Sequence, residues 1–298
     1  MNLNEIQEKL LENSVNSKSL NETNSADLEN YDQLIGNIIK DTIRTHIGYD
    51  ICDVQVLKGP QGKVFARASR LDKFEILSKN VITEAEKTDV EISPEAMDDL
   101  VALTSSSNLF TDFVVSSTKR KSGLKLIKFL TDNAEVVGNL TLTGESLDNN
   151  ETNLFYINKK VNDEIGKMNK QNFRTYDAFC ILPYNQVGGI LGLSFTYSKI
   201  ADQANDHDRA TGYFLGKINN VRYYINPDEN ATDVIVGLNS KVETGNSAVI
   251  FSPYNIIINS AISPENGHKT YHVWVRNGYT LSPLHTTANP MLVKFKIV

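Results

Sequence analysis

The chain has two cysteines in 298 residues, Cys52 and Cys180. That is too few for a disulfide scaffold or a cysteine-rich zinc site, and two buried, reduced thiols are the expected state. No apolar run reaches the roughly 18 residues of a membrane-spanning helix. Met1-Asn2-Leu3-Asn4-Glu5 lacks the basic start and apolar core of a secretory signal, so the chain is expected to begin in a cytoplasm. Positive charge is also short. Thirty Lys and Arg face 36 Asp and Glu, giving a net charge of −6 and a pI near 5.5. That balance disfavours nonspecific attachment to nucleic acid.

The residues of catalysis are scarce or badly spaced. The histidines are His46, His207, His268, His272 and His285, and none forms a helical metal-binding pair. His268 and His272 enter a strand pattern, where residues four apart lie ~13 Å from each other, too far to share a metal ion. Asp202, Asn205, Asp206 and Asp208 crowd one loop but lack the glycine and terminal glutamate of a calcium loop. Gly188-Gly189-x-x-Gly192 has the wrong spacing for a dinucleotide fingerprint, and no Gly-x-Ser-x-Gly elbow occurs. No catalytic residue, metal or cofactor is expected, and the chain reads as a non-enzyme. The rival reading, a hydrolase or carbohydrate-binding β module, rests on Tyr213, Tyr223, Tyr224, Tyr254, Tyr271 and Trp274 in the second half. No acid/base pair accompanies them, and packing within strands is the simpler expectation.

What is present is a mixture of helices and strands. Leu3, Ile6 and Leu10 predict a short amphipathic helix, and Asn13 to Asn30 a flexible polar arm. Leu34, Ile35, Ile38, Ile39 and Ile43 predict a helix over Tyr31–Arg44. After Gly48, extended stretches flank the turn Gly59-Pro60-Gln61-Gly62. Lys63–Arg70 and Phe74–Ile92 then read as two long polar arms of a hairpin joined at Leu71-Asp72, needing a partner surface to become ordered. Ser93-Pro94-Glu95 starts a helix, with a second helical stretch from about 108 to 131. Gly138–Gly144 is a short strand or loop. Leu154, Ile157, Val161, Ile165 and Met168 mark another helix, Ala178–Leu182 a buried strand, and Gln186–Leu191 a short helix. Val221–Ile225, Asp233–Val236, Ala248–Phe251, Tyr271–Val275 and Leu292–Val298 are strands at hairpin-like spacing. The class is α+β.

Six stretches, in order from Leu34 to the C-terminus, resemble the major capsid family of T-even-type tailed bacteriophages. They are Tyr49–Val56 with Gly59-Pro60-x-Gly62-x-Val64-Phe65-Ala66; Ser93–Leu103; Phe173–Leu191; Gly216–Asn220 through Val221–Pro227; Val234–Gly237 with Phe251-Ser252-Pro253-Tyr254; and Val275–Tyr279 with Asn289-Pro290. The resemblance implies the HK97-like capsid fold: an N-terminal arm and helix at 1–58, an extended loop hairpin at 59–92, and a peripheral domain with its spine helix at 93–137. An axial domain at 138–250 follows, and C-terminal strands at 251–298 return to the peripheral domain.

The resemblance also implies a structural subunit that self-assembles into hexamers and pentamers and tiles a DNA-containing shell without sequence-specific binding to the DNA. Scaffold, portal and vertex or decoration proteins are the implied partners, no membrane is involved, and the implied location is the virion, with assembly in the host cytoplasm. Two alternatives stay open: a capsid vertex paralogue that forms pentamers, and a non-viral, encapsulin-like nanocompartment shell. The family's large insertion in the extended loop is missing here, since only Leu71-Asp72 joins the arms. Its long cleaved N-terminal segment is short or absent. The family's Leu/Ile-x-Glu cleavage pattern is met ahead of Glu8, Glu12 and Glu22, and also at Ile82-Thr83-Glu84. Candidate inter-subunit contacts are Lys63, Arg67, Arg70, Lys73, Glu84 and Glu86 on the hairpin, and the basic run Lys119, Arg120 and Lys121.

Overall fold

The structure is a computed structural model of the chain. It describes residues 3–16, 37, 39–40, 42–43, 46–70, 73–92, 121–141, 150–172, 177–184, 214–218, 221–239, 247–262 and 269–298. The predicted helix starting at Ser93, the short helix at Gln186–Leu191 and the acidic loop at 202–208 lie outside these residues.

The helices are α1 (Leu3–Asn16), the single turn α2 (Gly48–Ile51), α3 (121–133) and α4 (Asn150–Asn172). Residues 37, 39–40 and 42–43 are also helical, within the predicted Tyr31–Arg44. The strands are β1 (Asp53–Val54), β2 (Gln61–Arg70), β3 (Lys73–Ile82), β4 (Glu84–Ile92), β5 (Glu135–Leu140), β6 (Asp177–Pro183) and β7 (Phe214–Ile218). They continue with β8 (Val221–Asn226), β9 (Asp233–Asn239), β10 (Val249–Ile262), β11 (Lys269–Leu281) and β12 (Leu292–Ile297).

Three sheets result. A four-stranded sheet has the order β1-β10-β11-β4, a six-stranded sheet the order β5-β12-β9-β6-β8-β7, and β2 and β3 form a two-stranded ribbon. In the six-stranded sheet the central strands are near-continuous apolar runs: Ala178 to Leu182 and Val234 to Val236 are all fully buried. That is the pattern of strands covered on both faces. Helix α4 covers part of this sheet with Ile157, Val161, Ile165 and Met168, spaced to one stripe and all buried. The Tyr223 hydroxyl donates to Asn158 Oδ1 at 2.7 Å and ties the helix to β8. At one edge, β5 carries a register shift against β12 and Gly138 adopts φ +94°, a conformation that favours glycine.

Three sequence expectations need correction. The second hairpin arm, expected as one segment Phe74–Ile92, is two strands. It breaks at Thr83, whose N–H and hydroxyl both donate to the Pro60 carbonyl, at 2.9 and 3.0 Å. Beyond that anchor β4 leaves the ribbon and pairs with β11 over nine residues without a shift. The ribbon therefore spans 61–82 rather than 59–92.

Residues 13–16, expected to begin a flexible arm, are instead the end of a docked helix, and the rest of that expected arm, 17–30, lies outside the described residues. Ile6 and Leu10 are buried in the main core, a gain of about 1.5–3 kcal/mol for each such side chain. Strand β10 has a bulge between Pro253 and Asn255 that frees backbone groups from the ladder. Helix α1 satisfies them: Asn13 Nδ2 donates to the Tyr254 carbonyl at 2.8 Å and the Leu57 carbonyl at 2.9 Å, while Ile256 N–H donates to Ser14 Oγ at 3.0 Å.

Finally, β12 does not return to the strands of 251–281. It pairs with β9 and β5 in the six-stranded sheet. The pairing follows from Leu292, Val293 and Phe295, whose burial needs a sheet covered on both faces.

Candidate assembly surface

The ribbon has two unlike faces. Its register pairs Gly62 with Val81, Val64 with Lys79 and Ala66 with Leu77 on one side, and Gln61 with Ile82, Lys63 with Asn80, Phe65 with Ser78 and Arg67 with Ile76 on the other. Opposed residues share a face, because side chains alternate along each strand. The inner face is rooted in the protein's own body. Val64 and Val81 pack with Leu57 and Ile250 in a small core, with Ala66 also buried. Close approach at the root requires Gly278 on β11: a Cβ there would lie 2.5 Å from Val81 Cγ1. Gln55 locks the same root, accepting from Phe65 N–H at 2.9 Å and donating to the Phe65 carbonyl at 2.7 Å.

The outer face is open. Phe65, Ile76 and Ile82 are 49%, 63% and 65% exposed. Lys63 and Arg67 stand between them, also exposed, and neither has an acidic partner among the described residues. Over 61–82 the chain carries Lys63, Arg67, Arg70, Lys73 and Lys79 against Asp72 and Glu75, so the ribbon is basic in an acidic protein. A two-stranded ribbon with exposed apolar side chains on one face is marginal in water by itself.

Of the other sequence-chosen residues, Arg70 and Lys73 pair across the ribbon's far end, where the backbone alone is described. Glu84 and Glu86 are not on the ribbon. They lie on β4 and face Lys125 of α3, with Lys125 Nζ 2.6 Å from Glu84 Oε2 and 3.6 Å from Glu86 Oε1. Burial pushes the Glu86 carboxyl above its usual range, against the pull of Lys125. Lys121 donates to the Lys87 carbonyl at 3.1 Å. These contacts knit α3 to β4 within one chain, so Glu84 and Glu86 meet their cation at home. Lys119, Arg120 and the cleavage candidate Glu22 lie outside the described residues. Glu8 and Glu12 are exposed on α1. His272 sits on β11 with Nδ1 2.6 Å from Asp89 Oδ1, and Lys87 Nζ lies 3.0 Å from Asp89 Oδ2. Their bonds to Asp89 lower its pKa, His272's first.

Two buried polar networks escaped the sequence reading. Beside the four-stranded sheet, Gly48 N–H donates to His46 Nδ1 at 2.9 Å, so that nitrogen carries no proton and Nε2–H donates to Ser122 Oγ at 2.7 Å. Asn277 Nδ2 also donates to Ser122 Oγ at 2.9 Å, and the Tyr279 hydroxyl lies 3.1 Å from it. The His46 ring stacks on Phe251, which stacks on Tyr279. Burial lowers the His46 pKa to about 4, opposed by the bond to Ser122.

The second network joins α2 to the six-stranded sheet. Asp50, fully buried, accepts from Arg222 Nη2 at 3.0 Å and from the Tyr224 hydroxyl, while Arg222 Nε donates to the same hydroxyl at 2.8 Å. Asn239 Nδ2 donates to the Asp50 carbonyl at 2.8 Å. No pattern marks such contacts in sequence, because Asp50 stands more than 150 residues from Arg222, Tyr224 and Asn239, as Ser122 does from Asn277 and Tyr279.

Cys52 and Cys180 are both free and buried, and burial pushes both thiols up. Tyr223 and Tyr224 are buried too, which removes them from any exposed aromatic platform. Among the described residues no group of three or more His, Cys, Asp or Glu is placed to hold a metal ion, and no helix is long and apolar enough to cross a membrane.

No family model matches the chain, and no curated protein does. Solved structures do. A virus-like particle from Pyrococcus furiosus aligns at a TM-score of 0.52 and 12% identity, over 90% of this chain and 100% of that one. The capsid of Ralstonia phage GP4 aligns at a TM-score of 0.52 and 8% identity, over 82% of this chain and 86% of that one. At such identities the likeness is one of fold. The chain has the α+β, HK97-like capsid fold.

Proposed function

We propose that the chain is a structural shell subunit, the major capsid protein of a tailed bacteriophage, which acts by self-assembly and not by catalysis. The observation that carries this reading is the outer face of the ribbon: Phe65, Ile76 and Ile82, exposed on an arm whose other face is rooted in the body. In this reading sister copies cover that face in hexamers and pentamers. A closed shell multiplies each modest contact by copy number, so no interface has to be strong alone. The capsid fold shared with the GP4 particle supports the viral assignment. The six ordered motifs support placing it in the T-even-type group.

Within this reading the four-stranded sheet with α3 forms the peripheral domain, and the six-stranded sheet with α4 the axial domain. The net charge of −6 suits a wall that encloses DNA without adhering to it. The location is the virion, assembled in the host cytoplasm, with scaffold, portal and vertex or decoration proteins as further partners. Cleavage after Glu8 or Glu12 requires α1 to leave β10 first, since proteases act on locally opened chain. Intact masses of particle subunits starting at Met1 or Asn2 in every copy would exclude it.

A second reading is a non-viral, encapsulin-like compartment, favoured by the alignment with the whole chain of the P. furiosus particle. Negative-stain microscopy of the purified protein tests both. Closed particles, sheets or capsomer rings are expected, and a strictly monomeric protein at high concentration would contradict both. Packaged DNA against packaged protein separates the two.

A further inference from the structure

The ribbon's outer face needs an occupant that is at once acidic and apolar. Lys63 and Arg67 ask for carboxylates, while Phe65, Ile76 and Ile82 ask for a surface that excludes water. DNA phosphates would meet the first need and leave the three apolar side chains wet. Strand β4 is acidic, but its carboxylates already have cations of their own: Lys125 beside Glu84, and Lys87 and His272 beside Asp89. Helix α1 differs. Ile6 and Leu10 face the core, and the opposite stripe carries Glu5, Glu8 and Glu12 at helical spacing, all exposed. Glu8 and Glu12 have no cation partner among the described residues. The part-buried Leu11 lies beside the stripe. Glu5 to Glu12 spans ~10 Å along a helix, and Lys63 to Arg67 ~13 Å along a strand, a difference long side chains absorb.

The two surfaces do not meet within one chain. Asn13 and Ser14 hold α1 on β10 with its glutamates turned outward, and among the described residues no ion pair links α1 to Lys63 or Arg67. We infer that the occupant is α1 of a second copy: the glutamate stripe of one subunit's α1 docks on the basic and apolar outer face of its neighbour's ribbon. This rests on the reading of the chain as a shell subunit and adds the identity of the partner element.

Charge reversal tests it. Lys63→Glu with Arg67→Glu should reduce particle yield about tenfold or more, the effect of roughly 1.4 kcal/mol per contact before copy number multiplies it. Glu8→Lys with Glu12→Lys should do the same, and the four changes together should restore assembly. All four side chains are exposed, so monomer circular dichroism should be unchanged in each variant. As a second readout, subunits carrying Glu12→Cys mixed with subunits carrying Arg67→Cys should form an intermolecular disulfide under oxidation, with the buried native thiols silent. Loss of assembly on reversing the ribbon, but none on reversing α1, would overturn the pairing and leave the shell reading standing. Absence of both rescue and cross-link would overturn it as well. A wild-type chain that never associates would overturn the shell reading and the pairing with it.

Discussion

The six-stranded sheet and the ribbon are built from similar extended segments and reach opposite ends. In the sheet, strands such as β6 and β9 are apolar at nearly every position and covered on both faces by their own chain. In the ribbon, apolar residues alternate between a face rooted on Leu57 and Ile250 and a face rooted on nothing among the described residues. The difference separates what the subunit completes by itself from what it leaves for its neighbours. Stability of the isolated subunit should therefore respond to the sheet and its joints, and association to the ribbon's outer face.

The largest effect on that contrast should come from the buried joint between α2 and the sheet. Asp50→Ala removes the carboxylate facing Arg222 and Tyr224 and should cost about 3–5 kcal/mol, as expected for breaking a buried pair and stranding its partner. Urea denaturation of the monomer checks it.

Acid should act next. The folded-state pKa of His46, about 4, lies below its ordinary 6.5, so the unfolded chain takes up a proton first. The contribution is complete above about pH 6.5 and is lost as pH falls toward 4, up to about 3 kcal/mol in all. Glu86, whose carboxyl is raised by burial, acts in the opposite sense. The denaturation midpoint measured from pH 7 to pH 4.5 should fall, and His46→Asn should flatten the slope.

Gly278→Val should wedge the ribbon root away from β11 at a cost of about 1–3 kcal/mol, and expose 61–82 to proteolysis ahead of the sheets. Ser14→Ala should cost about 1–2 kcal/mol by leaving the buried Ile256 N–H without its acceptor. The smallest effect on the monomer should come from Phe65→Ser with Ile76→Ser on the open face, within about 0.5 kcal/mol, measured by the same urea titration. That pair should nonetheless abolish particles in sedimentation. A large stability loss from it would erase the contrast.

The elements legible in the sequence were those with local periodicity. The stripe of α4, the apolar run of β6 and the hairpin-spaced strands of the second half all stand close to where the pattern puts them. Lys63 and Arg67 were legible as exposed ribbon cations, since alternation alone turns them outward. The break at Thr83 was not, because it depends on the Pro60 carbonyl and on β11, almost 200 residues downstream. The docking of Asn13 and Ser14 was hidden for a similar reason. Polar side chains look like a loop until a bulge in a distant strand supplies their partners. Phe65, Ile76 and Ile82 are apolar, and only the register shows that they share the uncovered face.

Amide hydrogen exchange on dissociated subunits and on assembled particles puts the contrast to the most direct test. In free subunits, amides across 65–78 should exchange far faster than those of 233–239, and assembly should slow the ribbon strongly while leaving β9 as it was. Equal protection of the ribbon in both states would contradict the claim that its outer face is completed by sister copies.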